Sequence, residues 1–231
     1  MINKNVFLKK IIFMTRSEEN YLKTIFHLGG NDSTPISTNS IAEQMETKPS
    51  SVTDMAKKLA EKGLVNYKKY QGVYLTESGA KTALSIIRKH RLWEVFLVKK
   101  LDFTWDEVHE VAEQLEHIKS EKLIDKLDAL LEFPKYDPHG DPIPTKDGKF
   151  QERDEQLLSE MHINSMGVCV GVKDSSAPFL KFLDKNNIAL GKTIKILDKE
   201  DFDQSLHIEM EGKELRISHQ IASNLYVKKN E

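Results

Sequence analysis

Apolar side chains in the first part of the chain recur every three or four residues, which is the spacing of amphipathic helices. Three such stretches precede LVNYKKYQGVYLT (64–76), where apolar and polar residues alternate around a Gln-Gly pair and predict a β-hairpin. Thr15 and Ser17 are candidate N-caps of the first helix, and Glu18 is placed to complete a capping box. The three helices are predicted over residues 15–28, 37–46 and 51–63.

The second part of the chain begins with helical periodicity and ends in short apolar runs. Three further helices are predicted over residues 77–101, 102–118 and 120–132. FPKYDPHGDPIPTKDGK (133–149) is rich in proline and glycine and predicts a linker, and residues 150–161 predict a short helix or an ordered arm. From residue 162 onwards the runs predict a small β-barrel with one helix near APFLKFLDKN. The expected fold is mainly α with a small β domain.

Composition indicates a soluble protein of 231 residues, with 39% hydrophobic and 30% charged residues. No apolar run approaches the roughly 20 residues that a membrane span needs, and the basic N-terminus does not resemble a secretory signal. The single cysteine, Cys169, excludes an intramolecular disulfide and fits a reducing cytoplasm. Met14 is an alternative start, so whether residues 1–13 are native is left open.

The overall net charge of −2 hides a strong asymmetry along the chain. Residues 1–80 carry a net charge of +3 and residues 81–101 a net charge of +5. Residues 102–137 carry −7 and residues 138–231 carry −3. Such a division predicts an anionic partner for the first part and a cationic partner for the acidic helices.

The order helix, helix, turn, helix and hairpin is that of a winged helix-turn-helix, which places its third helix in a DNA groove. Hydroxyl side chains at the start of that helix suit phosphate and base-edge contacts, because the free N–H groups there favour an anion. Two wing lysines alone would be explained as solubilising an edge hairpin, but the helix order favours DNA. The candidate DNA-binding residues are Lys48, Pro49, Ser50, Ser51, Thr53, Asp54 and Lys57, with Lys58 beside them, and Lys68, Lys69, Tyr70 and Gln71 of the wing.

Three histidines and five glutamates are crowded into residues 90–117, and six of these eight predict a metal site: His90, Glu94, His109, Glu113, Glu116 and His117. On a helix, His109, Glu113, Glu116 and His117 share an arc of about 100°, opposite the apolar side chains. His90 and Glu94 lie four residues apart, so they also share one face. Carboxylate and imidazole donors without a thiolate suit Mn²⁺ and Fe²⁺, and also Zn²⁺ or Co²⁺.

Two other interpretations of these residues compete with a metal switch. The histidines can be ordinary core or surface groups and the glutamates solvated, which is the better explanation for any one pair. A hydrolytic metalloenzyme is disfavoured, because HEVAEQLEH places the second histidine eight residues after the first rather than four. The sequence also contains no Gly-x-Ser-x-Gly motif and no glycine-rich phosphate loop. A metal would therefore act as a switch, and no enzymatic activity is expected.

Several motifs in this order resemble the diphtheria toxin repressor family of metal-dependent transcription factors, nearest to its manganese-responsive branch with a third domain. The carriers are EENYLKTIF, SIAEQMETKPSSVTDMAKKLAEKGLV, YQGVYLTESG, HRLWEVFL, the residues from His109 to His117, and PHGDPIP. The resemblance implies a cytoplasmic homodimer that binds a palindromic operator. It also implies four domains or segments: a winged helix-turn-helix (14–80), a helical dimerisation and metal-binding domain (81–133), a linker and arm (134–161), and an SH3-like domain related to FeoA (162–231).

The resemblance further implies two metal positions in each subunit. The first would use Asn20, Glu113, Glu116 and His117. The second would use His90, Glu94 and His109. Glu113 matches the manganese branch, because iron-responsive members have a cysteine there, whereas Asn20 and Lys23 match neither branch. Mn²⁺ is the expected effector, with Fe²⁺ as the second choice and Zn²⁺ or Co²⁺ as substitutes in vitro.

The resulting hypothesis is a repressor of manganese or iron uptake genes that binds DNA when metal is present. A metal that joins Asn20 to the dimerisation domain would hold two recognition helices at the spacing of the operator half-sites. The alternative is a winged-helix regulator that responds to a small organic ligand, with the histidines and glutamates as scaffold. Operator binding at full strength without metal would favour that alternative.

Overall fold

The structure is a computed structural model that describes residues 13–29, 34–150 and 155–229. Residues 1–12 lie outside the described residues, so the structure does not test whether the segment 1–13 is native. The helices are α1 (Arg16–Gly29), α2 (Thr38–Gln44), α3 (Pro49–Glu61), α4 (Glu77–Leu101), α5 (Val108–Leu115), α6 (Glu121–Leu130), α7 (Ala177–Lys185) and α8 (His219–Ala222). The strands are β1 (Val65–Lys68), β2 (Gly72–Leu75), β3 (Gln156–Leu157), β4 (Met166–Val172), β5 (Thr193–Lys199), β6 (Leu206–Met210), β7 (Lys213–Ile217) and β8 (Leu225–Lys229).

The chain divides into two units, one that ends at Ile87 and one that begins at Arg88. The first unit contains α1 to α3, the antiparallel hairpin of β1 and β2, and the start of α4. A backbone bridge from Ile36 to Val73 adds a short third strand to the hairpin. The helices bury one face each, with side chains such as Leu22 and Leu59 fully enclosed. This confirms the predicted winged helix-turn-helix.

Glu18 ties the start of α1 to the end of α3. The predicted capping box forms, since the Thr15 N–H donates to Glu18 Oε2 at 2.7 Å and the Glu18 N–H donates to Thr15 Oγ1 at 3.3 Å. The other carboxylate oxygen, Oε1, accepts from Lys62 Nζ at 2.7 Å and lies 3.3 Å from Lys58 Nζ. Burial alone would raise the pKa of Glu18, but the hydrogen bonds from Lys62, Thr15 and Lys58 lower it to about 2.

The second unit begins with the rest of α4 and continues through α5 and α6, which pack around Leu92, Val108 and Leu127. The helix predicted over residues 102–118 is shorter in the structure and begins only at Val108. Asp102 ends α4 in a left-handed conformation, with φ of 57°, and residues 105–107 form a turn before α5. Periodicity alone did not reveal this break, because its apolar spacing continues through the turn.

The segment rich in proline and glycine packs onto α4. The guanidinium of Arg91 donates to the Pro142 carbonyl at 2.5 Å and lies 3.4 Å from Asp137. Arg88, one turn earlier, donates to the Pro144 carbonyl at 2.8 Å. Ile143, between these two carbonyls, is buried in the helical core. Two arginines therefore fix residues 137–144 beside Glu94 of α4.

The C-terminal part of the second unit is an antiparallel sheet of six strands in the order β3-β8-β4-β5-β6-β7. Its apolar face packs against α7, with Leu183 and Ile196 fully buried. This confirms the predicted small β domain, and α7 is its predicted helix. The four-residue α8 was not predicted, because one turn carries no periodicity. Among the described residues, no helix is long and apolar enough to cross a membrane.

Candidate metal centre and nucleic-acid interface

Glu94 is the centre of a buried polar cluster in the second unit. His90 and Glu94 lie one turn apart on α4, and His90 Nε2 is 3.0 Å from Glu94 Oε1. His109, near the start of α5, brings its Nδ1 to 3.2 Å from His90 Nε2 and 3.5 Å from Glu94 Oε1. The structure therefore brings together the three residues that the sequence suggests for the second metal position. Their donor atoms lie within 4.8 Å of one another, close enough to share one ion.

Burial and hydrogen bonding act in opposite directions on Glu94, whose side chain is only 2% exposed. Burial would raise the pKa of this carboxyl, but hydrogen bonds with His109, His139 and His90 hold it well below its usual value. The carboxylate is therefore charged and surrounded by imidazoles. This is the donor set expected of a divalent metal site.

Asp137 and His139 extend the cluster on the other side of Glu94. His139 Nδ1 is 3.7 Å from Glu94 Oε2, and Glu94, Asp137 and His139 form a second group with donor atoms within 4.8 Å. All three side chains are buried. Neither Asp137 nor His139 was predicted as a ligand from the sequence, in which PHGDPIP (138–144) serves only as a family motif. The available signal was an Asp-Pro-His-Gly turn, which joins two hard donors to a residue that permits a tight bend.

Asp137 and His139 both have a raised pKa, and Asp137 already has hydrogen-bond and ion-pair partners. Asp137 Oδ1 accepts from the backbone N–H groups of His139 at 2.8 Å and Asp141 at 2.9 Å, while Oδ2 faces Arg91. Burial and the charges of Glu94 and Asp141 raise the pKa of Asp137 to about 7, against the opposing effect of Arg91. Burial would lower the pKa of His139, but its contacts with Glu94 and Asp137 raise it to about 9.

Three of the four residues suggested for the first metal position, Glu113, Glu116 and His117, lie in the same unit as this cluster, at or near α5. Glu116 is fully buried at the end of α5, and its Oε2 is 2.6 Å from His90 Nδ1. The next residue, His117, has its Nε2 3.8 Å from Glu116 Oε1, and Glu113 is half-buried one turn earlier. His90 therefore contacts Glu94 through one ring nitrogen and Glu116 through the other. The two suggested ligand sets meet at this ring.

Asn20, the remaining residue of the first suggested position, lies on α1 in the first unit. Its Oδ1 is buried and has no hydrogen-bond partner among the described residues. Buried polar atoms without a partner are uncommon, since each costs about 1–3 kcal/mol. A carbonyl oxygen of this kind suits a hard divalent ion.

The suggested DNA-binding residues of α3 lie at its exposed start. Lys48 is the N-cap, its side chain caps no backbone N–H, and Pro49 follows at the first helical position. The Thr53 hydroxyl donates to the Pro49 carbonyl at 3.0 Å, and Asp54 pairs with Lys57 at 3.5 Å. Ser50 and Ser51 are exposed beside them in the first turn, and Lys58 is exposed further along α3, where it pairs with Glu18. This helix start therefore presents the serine hydroxyls to the outside, at the end of the helix whose dipole favours an anion.

The wing residues form the turn of the hairpin. Lys68 ends β1, and Lys69, Tyr70 and Gln71 follow before β2, all four exposed. Tyr70 is 93% exposed and has a φ of 68°, and Lys69 Nζ lies 4.9 Å from the centre of its ring. An exposed aromatic ring beside two lysines can contact a phosphate backbone or a groove wall.

Three family models match successive parts of the chain. The iron dependent repressor N-terminal DNA binding domain matches residues 13–73, and the iron dependent repressor metal binding and dimerisation domain matches residues 76–145. The FeoA domain matches residues 156–229.

Solved structures resemble the chain over almost its whole length. A manganese-dependent transcriptional repressor in complex with manganese is 32% identical, with a TM-score of 0.81, and the match covers 92% of this chain and 100% of that one. ScaR with bound Cd²⁺ is 37% identical, with a TM-score of 0.75, covering 92% and 99%. The diphtheria toxin repressor of Corynebacterium diphtheriae is 31% identical over 129 residues, which are 56% of this chain and 57% of that protein.

Proposed function

Because the chain belongs to the diphtheria toxin repressor family of metal-dependent DNA-binding regulators, we propose that it represses metal-uptake genes when Mn²⁺ is bound. The observation that carries this proposal is the buried cluster around Glu94 and Glu116, whose imidazoles and carboxylates converge without a structural need for so many ionisable groups. As a family member the chain is a transcriptional regulator rather than an enzyme, and we propose that it acts on DNA in the cytoplasm.

The donor set favours Mn²⁺ as the effector, with Fe²⁺ as the second choice. The ligand candidates are carboxylates, imidazoles and one amide, and the single cysteine, Cys169, lies in the core of the C-terminal sheet. Oxygen-rich sites without thiolate suit harder divalent ions. The similar solved structures contain manganese in one case and Cd²⁺ in another. Zn²⁺ or Co²⁺ is expected to substitute in vitro, because both bind imidazole and carboxylate.

We propose two metal positions, supported by the metal-binding domain that the chain matches and by the convergence of donor atoms around Glu94. The first would be held by Asn20, Glu113, Glu116 and His117. The second would be centred on Glu94, with His90 and His109 on one side and Asp137 and His139 on the other. The side chain of His109 is 57% exposed, whereas those of His139 and Asp137 are buried. We therefore favour Asp137 and His139 as the partners of Glu94, with His109 as an accessory donor.

The DNA-bound form is proposed to be a homodimer on a palindromic operator. A dimer places two α3 helices about one helical turn of DNA apart, or a multiple of it. Leu123, Leu130 and Phe133 are exposed apolar side chains on or after α6, within the part of the chain that matches the dimerisation domain. Covering such side chains favours association.

The proposed switch is a restriction of domain position. A metal bound by Asn20 on α1 and by Glu113, Glu116 and His117 would limit the orientations that the DNA-binding unit samples. Without metal, the affinity for a fixed pair of half-sites falls by the fraction of competent orientations. Neutralising the carboxylates would also remove their mutual repulsion.

Fluorescence anisotropy tests this proposal at one fixed salt concentration, because DNA affinity depends steeply on salt. The probe is a duplex selected from genomic fragments by the protein in Mn²⁺, and binding is compared in chelator, Mn²⁺, anaerobic Fe²⁺, Zn²⁺ and Co²⁺. We expect Mn²⁺ to tighten binding at least about tenfold, which corresponds to about 1.4 kcal/mol.

Substitution at the first metal position supplies the matched control. Glu116→Ala should remove the tightening by metal and leave the weak metal-free binding, whereas Glu110→Ala, an exposed position on the same helix, should behave as wild type. Metal-dependent binding that survives Glu116→Ala would refute the assignment. Equal affinity in chelator and in every metal would instead favour an organic effector.

A further inference from the structure

His139 is held by a backbone carbonyl in the orientation that a metal would need. Its Nε2 lies 2.7 Å from the carbonyl oxygen of Trp105. A carbonyl only accepts, so Nε2 carries the hydrogen, and the lone pair of the neutral ring is then on Nδ1. Nδ1 is the atom that faces Glu94 Oε2 at 3.7 Å. Partners of this kind fix the tautomer and the orientation of metal-binding histidines.

The same Trp105 is bound to the C-terminal domain through its side chain. Its indole N–H donates to both carboxylate oxygens of Asp184, at 3.1 and 3.0 Å. Asp184 lies in the last turn of α7, and the Trp105 ring packs against the apolar core beneath that helix. One residue therefore links His139 of the Glu94 cluster to α7.

The turn that carries His139 also contacts the C-terminal sheet directly. The Val172 N–H at the end of β4 donates to the His139 carbonyl at 2.8 Å. Gly140 has a φ of 86°, and a Cβ atom at this position would lie 2.1 Å from the Val170 carbonyl oxygen. The turn can approach β4 this closely only because residue 140 has no side chain.

We propose that Trp105 is a positioning residue that couples metal binding at Glu94, Asp137 and His139 to the docking of the C-terminal domain. The proposal rests on the proposed function, since it requires a divalent ion at that cluster. The carbonyl of Trp105 orients His139, and the indole of Trp105 holds α7 through Asp184. An ion that fixes the ring of His139 thereby also fixes the carbonyl of Trp105, and with it the indole that binds Asp184.

Linkage makes the effect reciprocal. If metal binding strengthens the docking of α7 by some factor, then loss of the docking contact weakens metal binding by the same factor. Partners one step beyond the ligands typically change metal affinity by about 10–100-fold. The indole of Trp105 is one step further away, so we expect a loss of about three- to tenfold when its N–H or its acceptor is removed.

Hydrogen exchange of the full chain with and without Mn²⁺ tests the coupling, read on peptides that cover α7. Wild type should show slower exchange in α7 when Mn²⁺ is added, and Glu94→Gln should show no such change. Trp105→Phe keeps an aromatic ring and the backbone carbonyl but lacks the N–H, and Asp184→Ala removes the acceptor from an exposed position. Both variants should lose most of the Mn²⁺-dependent protection and bind Mn²⁺ about three- to tenfold more weakly by calorimetry.

Lys181→Ala is the matched control, because Lys181 on the same helix pairs with Asp106 at 3.6 Å through an exposed side chain. It should keep the protection seen in wild type. Protection that persists in both Trp105→Phe and Asp184→Ala would overturn the coupling, and so would its loss in Lys181→Ala alone. Operator binding in the same samples separates the two proposals: failure of Mn²⁺ to tighten wild-type binding would count against the proposed function itself.

Discussion

Glu18 in the first unit and Glu94 in the second are both buried carboxylates, and burial disfavours their charge. Each is stabilised by a different kind of basic side chain. Glu18 is paired with Lys62 and Lys58, and Glu94 is surrounded by His90, His109 and His139. Both carboxyls have a lowered pKa although burial would raise it. A lysine keeps its charge throughout the physiological range, whereas an imidazole can give up its proton and bind a metal instead.

The ion pairs of Glu18 are therefore expected to persist whether or not metal is bound, whereas the imidazole contacts of Glu94 can be replaced by contacts with an ion. The pairing of Glu18 fixes α1 to α3, so that the segment carrying Asn20 stays attached to the recognition helix whether or not metal is present. The pairing of Glu94 leaves donor atoms that an ion can take over. Stability should therefore depend on Glu18, and metal binding at the second position should depend on Glu94.

The largest expected effect is on metal affinity in Glu94→Gln. The neutral amide cannot supply the charged oxygen on which both donor groups converge, so the Mn²⁺ affinity of this position should fall at least about 100-fold. Calorimetric titration of chelator-treated protein should then show one binding event fewer. Glu18→Gln should give the wild-type isotherm, and a similar loss in both variants would abolish the distinction.

The next effect is on stability in Glu18→Gln. Removing a buried carboxylate that accepts from two lysines and a capping N–H should lower the free energy of unfolding by about 2 kcal/mol. Urea unfolding of the full chain, followed by circular dichroism, should show the same loss in chelator and in Mn²⁺. Glu43→Gln, an exposed position on α2, serves as the control and should unfold as wild type does. A loss that Mn²⁺ fully restores would mean that Glu18 belongs to the metal response.

A smaller effect should come from reversing the pair between Glu18 and Lys62. Each single substitution, Glu18→Lys or Lys62→Glu, is expected to destabilise the first unit. The double variant should recover about 1 kcal/mol relative to the sum of the two, which is a usual coupling for residues in direct contact. Strict additivity in the same urea experiment would show that the contact contributes through shape rather than charge.

The smallest effect is expected at the exposed ion pair of Glu77 and Lys81. Their charged atoms are 2.7 Å apart, as close as those of Glu18 and Lys62, but both side chains are largely exposed. Solvent screens such pairs, so Glu77→Gln should leave the unfolding midpoint unchanged within error. A shift as large as that of Glu18→Gln would show that distance, and not burial, governs these pairs.

The sequence predicted most of what is set locally. The bounds of α4 agree with the expected 77–101 at both ends, and the hairpin formed around its Gln-Gly pair. His90 and Glu94 share a face because their spacing of four residues requires it. Periodicity and caps report such features, since both arise within a few residues along the chain.

The remainder depends on contacts between distant segments. His139 is 45 residues after Glu94 in the chain. It reaches Glu94 because Arg88 and Arg91 hold the proline-rich segment against α4. The helical arc placed His109 with Glu116, but in the structure each contacts a different nitrogen of His90. No spacing rule along one helix describes a ring that stands between two helices.

Along α4, residues that anchor the proline-rich segment alternate with residues that carry candidate metal-donor atoms, and this order limits which changes in length evolution can accept. Arg88 and Arg91 anchor the proline-rich segment, while His90 and Glu94 carry donor atoms. Each residue inserted or deleted between positions 88 and 94 would rotate the residues before it by about 100° relative to those after it, and so would separate groups that now act together. Lineages that descend from this chain should therefore tolerate substitutions between positions 88 and 94 far better than changes in length, and they should accommodate insertions in connecting loops instead.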